Sequence, residues 1–361
     1  MFITVLIFIA VLAILVLSHE LGHFVVAKKS GMRVDEFGFG FPPKILGIKR
    51  GETTYSFNLV PLGGFVKIFG EDGEDRNKPK SFSSKPIWKR ALVISAGVFL
   101  NFVLAYILFS VAHTLGTPTL ISDNDPAANF KNVSVQIVEV AQDSPAQQAG
   151  VKLGDRIEKL SAPSASIAIH TVTDVQNFIS KHMKEEITFS IKRGGEELNL
   201  NIHARENFPE GQGSTGIALV RVELVTYPWY IAIVEGAKTF WLSLSGTLYA
   251  FGNMIRQAVT SGTLPSDISG PIGIAYMTGA VRNLGFVYLL QFIALISLNL
   301  GIINLIPFPA LDGGRLLFLG IEKLKGSPVP KKIEGVTHAI GFVILILLMI
   351  AVTFHDVDRF F

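Results

Sequence analysis

Residues 1–29 read MFITVLIFIAVLAILVLSHELGHFVVAKK, an uncharged apolar run of 17 residues that passes directly into His19-Glu20-Leu21-Gly22-His23. About 20 apolar residues in a helix are needed to cross the hydrocarbon core of a bilayer. A run of that length is expected to span, from about residue 2 to 27. On a helix, positions i and i+4 share a face, so the two imidazoles of H-E-x-x-H can grip one metal ion while the glutamate reaches a bound water. Ionisable groups at membrane depth are costly and call for a function. Zinc would supply one, by lowering the pKa of its water toward neutrality, with Glu20 as the base. A secretory leader would read differently, with a basic start and a small-residue cleavage site, neither of which precedes this motif.

The rest of the chain repeats the apolar pattern. Of its 361 residues 49% are hydrophobic, and the mean hydropathy of +0.44 exceeds that of ordinary soluble domains. Residues 91–112 carry no charge, residues 284–311 none until Asp312, and residues 336–354 none except at His338 if it is protonated. With the first run, these predict a polytopic α-helical membrane protein with four transmembrane helices, the third at about 284–306 and the fourth at about 336–354. Net charge is +3, too little to imply nucleic acid, and the absence of cysteine excludes disulfides and thiolate ligands.

Charge also predicts orientation. Residues 28–90 hold 13 Lys/Arg against 7 Asp/Glu, and Arg315, Lys323, Lys325, Lys331 and Lys332 crowd the loop between the last two runs. The positive-inside bias puts both loops in the cytoplasm, and both termini and the middle segment outside.

That middle segment, about 118–227, is different in kind. Residues 134–140, 187–192 and 197–203 alternate as short strands, with glycine turns at 150, 154 and 194–195. Residues 173–182 read as a helix capped near Thr173 or Asp174. Together they form a compact α+β module. Residues 51–70 read as a hairpin with an exposed edge. Residues 228–283 read as amphipathic helices on the outer interface, anchored by Trp229 and Trp241, with a hinge or gate at 261–275 marked by Gly262, Pro265, Gly270, Pro271 and Gly273.

A catalytic zinc takes three protein ligands. The histidines at 113, 170, 182, 203 and 355 fall on the wrong side of this topology, whereas His338 stays open. The stronger candidate is Asp312, in NLIPFPALDGG at 304–314, which closes the third run on the side where HELGH ends. Pro307 and Pro309 break a helix there; a broken helix at membrane depth is tolerated where it lines a wet cavity. The alternative is that Asp312 merely caps a helix starting near Arg315. Asn304 could hold substrate backbone or the developing oxyanion, or bond a neighbouring helix.

These motifs, with GFGFPPKILG at 38–47, PLGGFVKIFGE at 61–71, FSSKPIWKRALVISAG at 82–97 and DISGPIGIA at 267–275, make the chain resemble the site-2 protease family of intramembrane zinc metalloproteases, in its bacterial RseP/RasP-like branch. The resemblance covers nearly the whole chain. It implies one Zn2+ on His19, His23 and Asp312, Glu20 as the acid/base, and Asn304 in substrate handling. It also implies a membrane-associated β-hairpin whose edge, best matched by Gly63, Gly64, Phe65, Val66, Lys67 and Ile68, pairs with an unwound substrate. DSPAQQAGVKLGDRI at 143–157 is similar to bacterial PDZ domains and occurs once, so one PDZ domain is expected over about 125–205. Residues 161–169 replace the compact turn usual after that run. The implied substrates are transmembrane segments of single-span membrane proteins, such as anti-sigma factors or leftover signal peptides. The implied setting is the bacterial inner membrane, with a peptide ligand for the PDZ domain or a size filter as the module's role. The competing reading is a membrane-anchored PDZ adaptor with a degenerate metal site; a transporter would need a repeat of its spans that the sequence lacks.

Overall fold

The computed structural model describes residues 2–73, 75–123, 133–209, 212–261 and 270–360. The chain divides into two compact units. The first comprises Met1–Phe109, Ala237–Tyr276 and Ile293–Phe361, and the second Ser110–Gly236 and Met277–Phe292.

The apolar runs fold as long helices because each backbone polar group can then bond within its own segment. These are α1 (Phe2–Lys29), α2 (Ile87–Leu115), α7 (Phe286–Leu305) and α9 (Lys331–Phe360). Among the described residues these four are long and apolar enough to cross a membrane. α5 (Trp229–Ser261) is one continuous helix with Trp229, Trp241, Leu242 and Tyr249 exposed, and it is not among those four. α6 (Pro271–Leu284) follows. Of the expected hinge at 261–275, Gly262 and Pro265 lie outside the described residues, whereas Pro271 and Gly273 open α6. Both oxygens of the buried Asp356, near the end of α9, accept from Gly270 N at 3.1 and 2.9 Å, and one of them also accepts from Gly273 N at 2.8 Å. This satisfies amides that a helix start would otherwise leave unpaired.

In the first unit a hairpin follows α1. The expectation of a hairpin confined to 51–70 needs correction: its strands are β1 (Val34–Arg50) and β2 (Thr53–Ile68), reversing at Gly51, whose φ is +63°. Both strands bend, so that residues 36–39 pair on one side with 54–57 and on the other with 64–67. The segment order across this sheet is 44–50, 53–58, 36–39, 64–68. Proline and glycine in GFGFPPKILG hid the first strand from pattern reading, since both lower strand propensity. Residues 64–68 form one edge, bonded to β1 on one side only.

A core of Ala27, Met32, Val34, Ile68, Phe82, Val93, Ile94 and Leu319 ties α1, the hairpin and α2 to α8 (Asp312–Lys325). The Arg90 guanidinium of α2 forks onto Glu322 of α8 at 2.9 and 2.6 Å. Ala105, Phe109, Ala294, Leu298 and Ile302 pack α2 against α7.

The second unit contains a seven-stranded sheet. Its order is β3 (Thr117–Leu120), β9 (Ile217–Val225), β4 (Val133–Val140), β5 (Arg156–Ala162), β7 (Glu186–Arg193), β8 (Glu196–His203), with β6 (Ala165–Ala168) also on β5. Residues 161–169, which stand where a compact turn is usual, carry the turn and second strand of the β5–β6 hairpin. α3 (Pro145–Gln148) is capped by Ser144, and α4 (Val172–Lys181) by Thr171 in a capping box with Asp174, two or three residues before the cap expected at Thr173 or Asp174. Val135, Ile137, Ile157, Leu160, Ile187, Phe189 and Ile191 fill the core with Val175, Phe178 and Ile179 of α4. Asp155, fully buried, accepts two 2.7 Å bonds from Arg193.

Candidate metal centre

Helix α1 carries His19, Glu20 and His23 on adjoining positions, and helix packing decides where they point. A Cβ on Gly22 would collide with the backbone carbonyl of Ala96 and stand 2.9 Å from Gly97 N. The glycine therefore lets α1 and α2 touch backbone to backbone, as small residues do between membrane helices. Across that contact Gly97 leaves room for the two rings: a Cβ there would come within 2.7 Å of His19 Cε1 and 2.8 Å of His23 Cε1.

Asp312 arrives from the far end of the chain. After α7 the segment 306–311 folds back, and a Cβ on Gly313 would strike the carbonyls of Leu305 and Ile306, one on Gly314 that of Phe308. Ala310 takes a left-handed φ of +76°, a costly conformation for a residue with a Cβ. Its amide donates to His338 Nδ1 at 2.8 Å, and Gly341 one turn on packs against Pro309. His338, open as a ligand from sequence, thus braces the loop that carries Asp312. Asp312 is the first residue of α8, with Leu311 at its cap position, so Asp312 does not serve as the cap.

The three donor atoms converge. His19 Nε2 and His23 Nε2 are 3.1 Å apart, and Asp312 Oδ2 lies 3.1 and 3.3 Å from them. Ligands about 2.0–2.1 Å from a tetrahedral zinc are about 3.3 Å from one another. His23 Nδ1 faces the carbonyl of Val93 at 2.8 Å and must donate to it, leaving Nε2 with a free lone pair. Oδ2 of Asp312 is buried and receives no aligned hydrogen bond. Lone pairs gathered in this way repel unless a cation sits among them, and the donor set fits zinc. Among the described residues this is the group of three suited to hold a metal.

A cavity of about 360 Å³ opens on the triad. Its walls include Glu20, Asn304 and the edge residues Gly64, Phe65, Val66 and Ile68. The edge lies hard against α1: a Cβ on Gly64 would be 2.8 Å from Val16 Cγ1 and 3.1 Å from Glu20 Cγ. Gly63 has φ +155°, and a Cβ there would meet the Phe41 ring. Arg315, one turn beyond Asp312, pairs with Glu71 on the cavity wall.

Sequence reasoning had no means of finding the Val93 carbonyl, since main-chain acceptors leave no residue signature. His338 and the buried Asn101, which faces His19, carried a usable signal: each is a polar side chain in an apolar run, the same signal that picked out Asn304.

The chain is similar to known proteins along nearly its whole length. CA_C1796 of Clostridium acetobutylicum is 33% identical over 362 residues, covering 99% of this chain and 98% of its own. The zinc metalloprotease RasP of Geobacillus kaustophilus is 30% identical, covering 98% and 97%. The regulator of sigma-W protease RasP of Bacillus subtilis is 28% identical, covering 99% of each chain. The model of peptidase family M50 matches residues 7–348. A donor triad fit for zinc, set between apolar helices in a chain that carries this match along nearly its whole length, means that the protein belongs to peptidase family M50 and is a zinc metalloprotease.

Proposed function

We propose that this protease hydrolyses peptide bonds within the transmembrane segments of single-span membrane proteins. The observation that carries the reading is one cavity that joins the converging His19, His23 and Asp312 donors, Glu20 and an unpaired strand edge, at the end of a helix apolar enough to span.

In this reading His19, His23 and Asp312 hold the zinc. Zinc, when bound, supplies a Lewis acid that polarises the scissile carbonyl and acidifies water. Glu20 takes the proton of the attacking water and passes it to the leaving amide nitrogen, so that one carboxylate serves both bond formation and bond cleavage. A peptide bond inside a helix is shielded by its neighbours, and the substrate must be extended first. The 63–68 edge offers main-chain donors and acceptors to an extended segment. The glycines at 63 and 64 keep that edge near Glu20, and the Asn304 amide holds substrate backbone. The apolar side chains exposed on the hairpin, Phe41, Ile45, Leu46, Ile48, Phe57 and Leu59, support its lying in the membrane.

Within the second unit we assign a single PDZ domain, over about residues 125–205. The assignment is supported by the DSPAQQAGVKLGDRI run, in which Ser144 caps a short helix, Gly150 and Gly154 take positive φ, and Asp155 is locked to Arg193. The bacterial relatives support an inner-membrane setting, and the charge bias of the loops supports termini and PDZ domain outside. The B. subtilis relative is named as a regulator of sigma-W, which makes anti-sigma factors the first substrates to try, with leftover signal peptides next. Co-expression with such substrates tests the reading. Glu20→Gln should abolish cleavage while zinc content stays near one per chain; cleavage at the wild-type rate by that variant would sink the mechanism.

A further inference from the structure

Each metal-facing histidine has a second ring nitrogen, and its partner decides where the ring's proton sits. For His23 the matter is fixed by the Val93 carbonyl, which can only accept. For His19 the partner is a side chain. The Nδ2 end of the Asn101 amide lies 3.3 Å from His19 Nδ1, and the residue is fully buried on α2, eight residues after Val93. Eight residues is close to two helical turns, so one face of α2 supplies the outer partner of both rings.

The two ends of the Asn101 amide have different consequences. With the NH2 group toward His19, Nδ1 must accept, and the ring's proton is driven onto Nε2. It would then point at His23 Nε2 and Asp312 Oδ2, each 3.1 Å away, where a metal belongs. With the carbonyl toward His19, Nδ1 keeps the proton and Nε2 presents a lone pair. The amide ends have the same shape, and only the hydrogen-bond network distinguishes them. In the NH2-facing arrangement the other end, Oδ1, is buried without a partner. One end goes unpartnered either way, so that end does not choose; the ring does.

Packing does not account for an asparagine here. Burying an amide in an apolar helix is unfavourable when its bonds are incomplete, and leucine would fill a similar volume. The Ser297 hydroxyl bonds the Asn101 main-chain carbonyl at 2.8 Å, a contact that needs no amide side chain.

We propose that Asn101 is a positioning residue for the metal centre: its Oδ1 accepts from His19 Nδ1–H and holds Nε2 free for zinc. The inference rests on the reading of His19, His23 and Asp312 as ligands.

The test is zinc affinity of the purified full-length protein by chelator competition, for wild type, Asn101→Leu, Asn101→Asp and His19→Ala. Outer partners of this kind typically contribute 10–100-fold to metal affinity. Asn101→Leu should lose about that much, and Asn101→Asp, which still accepts from Nδ1–H, should stay within a few-fold of wild type or bind more tightly. A purely structural role would lower the thermal stability of both variants and leave the zinc affinity of the folded protein unchanged. If His19→Ala loses zinc and Asn101→Leu binds like wild type, the role of Asn101 is overturned and the ligand reading stands. If His19→Ala itself binds like wild type, the ligand reading falls. Should Asn101→Leu fail to fold, ring-15N histidine NMR of the metal-free wild type decides: His19 protonated at Nδ1 supports the proposal, and the proton on Nε2 overturns it.

Discussion

Replacing Gly97 by alanine adds one methyl group to the most sensitive point of the structure. The position is within α2, where alanine is the better helix former by about 1 kcal/mol. Helix propensity therefore favours the variant, and any loss must come from contact. The new carbon would stand 2.7 Å from His19 Cε1 and 2.8 Å from His23 Cε1 and would also collide with His23 Nε2. Carbon atoms in contact prefer about 3.5–4.0 Å, so rings or helix must give by about 1 Å. A metal site tolerates about 0.2 Å in its ligand distances, and a 1 Å misplacement of catalytic groups costs about 10²-fold in rate. Gly97→Ala is therefore expected to lose zinc affinity and to cut a transmembrane substrate about 100-fold more slowly, or worse, while still folding. Chelator competition, cleavage of a model substrate in detergent and thermal unfolding check this together. Wild-type zinc affinity and cleavage in a folded Gly97→Ala protein would refute the close approach of α2 to the two imidazoles.

The other predictions separate the parts of the molecule. Gly64→Val would press on Val16 and Glu20 and lift the strand edge from α1; kcat/KM should fall at least about tenfold with zinc content unchanged, which distinguishes it from Gly97→Ala. Arg90→Met leaves Glu322 without its forked partner and should cost about 3 kcal/mol, the low end for a broken buried pair because Glu322 keeps some solvent contact, read as a lowered Tm. Asp174→Ala removes half of the capping box of α4 and should cost about 1 kcal/mol near neutral pH, seen as faster hydrogen exchange in that helix. Burial raises the Asp174 pKa, but the bonds from Thr171 and the His170 and Thr171 amides outweigh it and lower the value below 3.8. The stabilisation is thus present above about 3.8 and lost as pH falls through the lower folded value, so wild type and variant should converge in acid.

What could be read from residues alone was whatever local order records. Four uncharged runs gave the four long helices, because a backbone in lipid must satisfy itself within one segment. The i, i+4 spacing of His19 and His23 put both rings on one face before any contact was known. The alternating segments at 134–140, 187–192 and 197–203 are strands, since period-two burial is written in the chain. Less was legible where proline and glycine interrupt the period. The first strand of the hairpin was not legible there, although residues 63–68 were expected as an edge and 64–68 are paired on one side only.

Tertiary structure alone decided how the centre is assembled. Asp312 stands 289 positions after His23, and only the backbone contact of α1 with α2 and the fold-back of 306–311 bring its Oδ2 to 3.3 Å from that ring. HELGH determined that a helix could offer two ligands; it could not determine which second nitrogen each ring would bond, and so which lone pair would be free. That depends on the Val93 carbonyl and the Asn101 amide, and on a loop held in a left-handed turn by His338. Such partners are invisible in sequence because a carbonyl is common to every residue, and because a side chain's role is set by what the fold places opposite it.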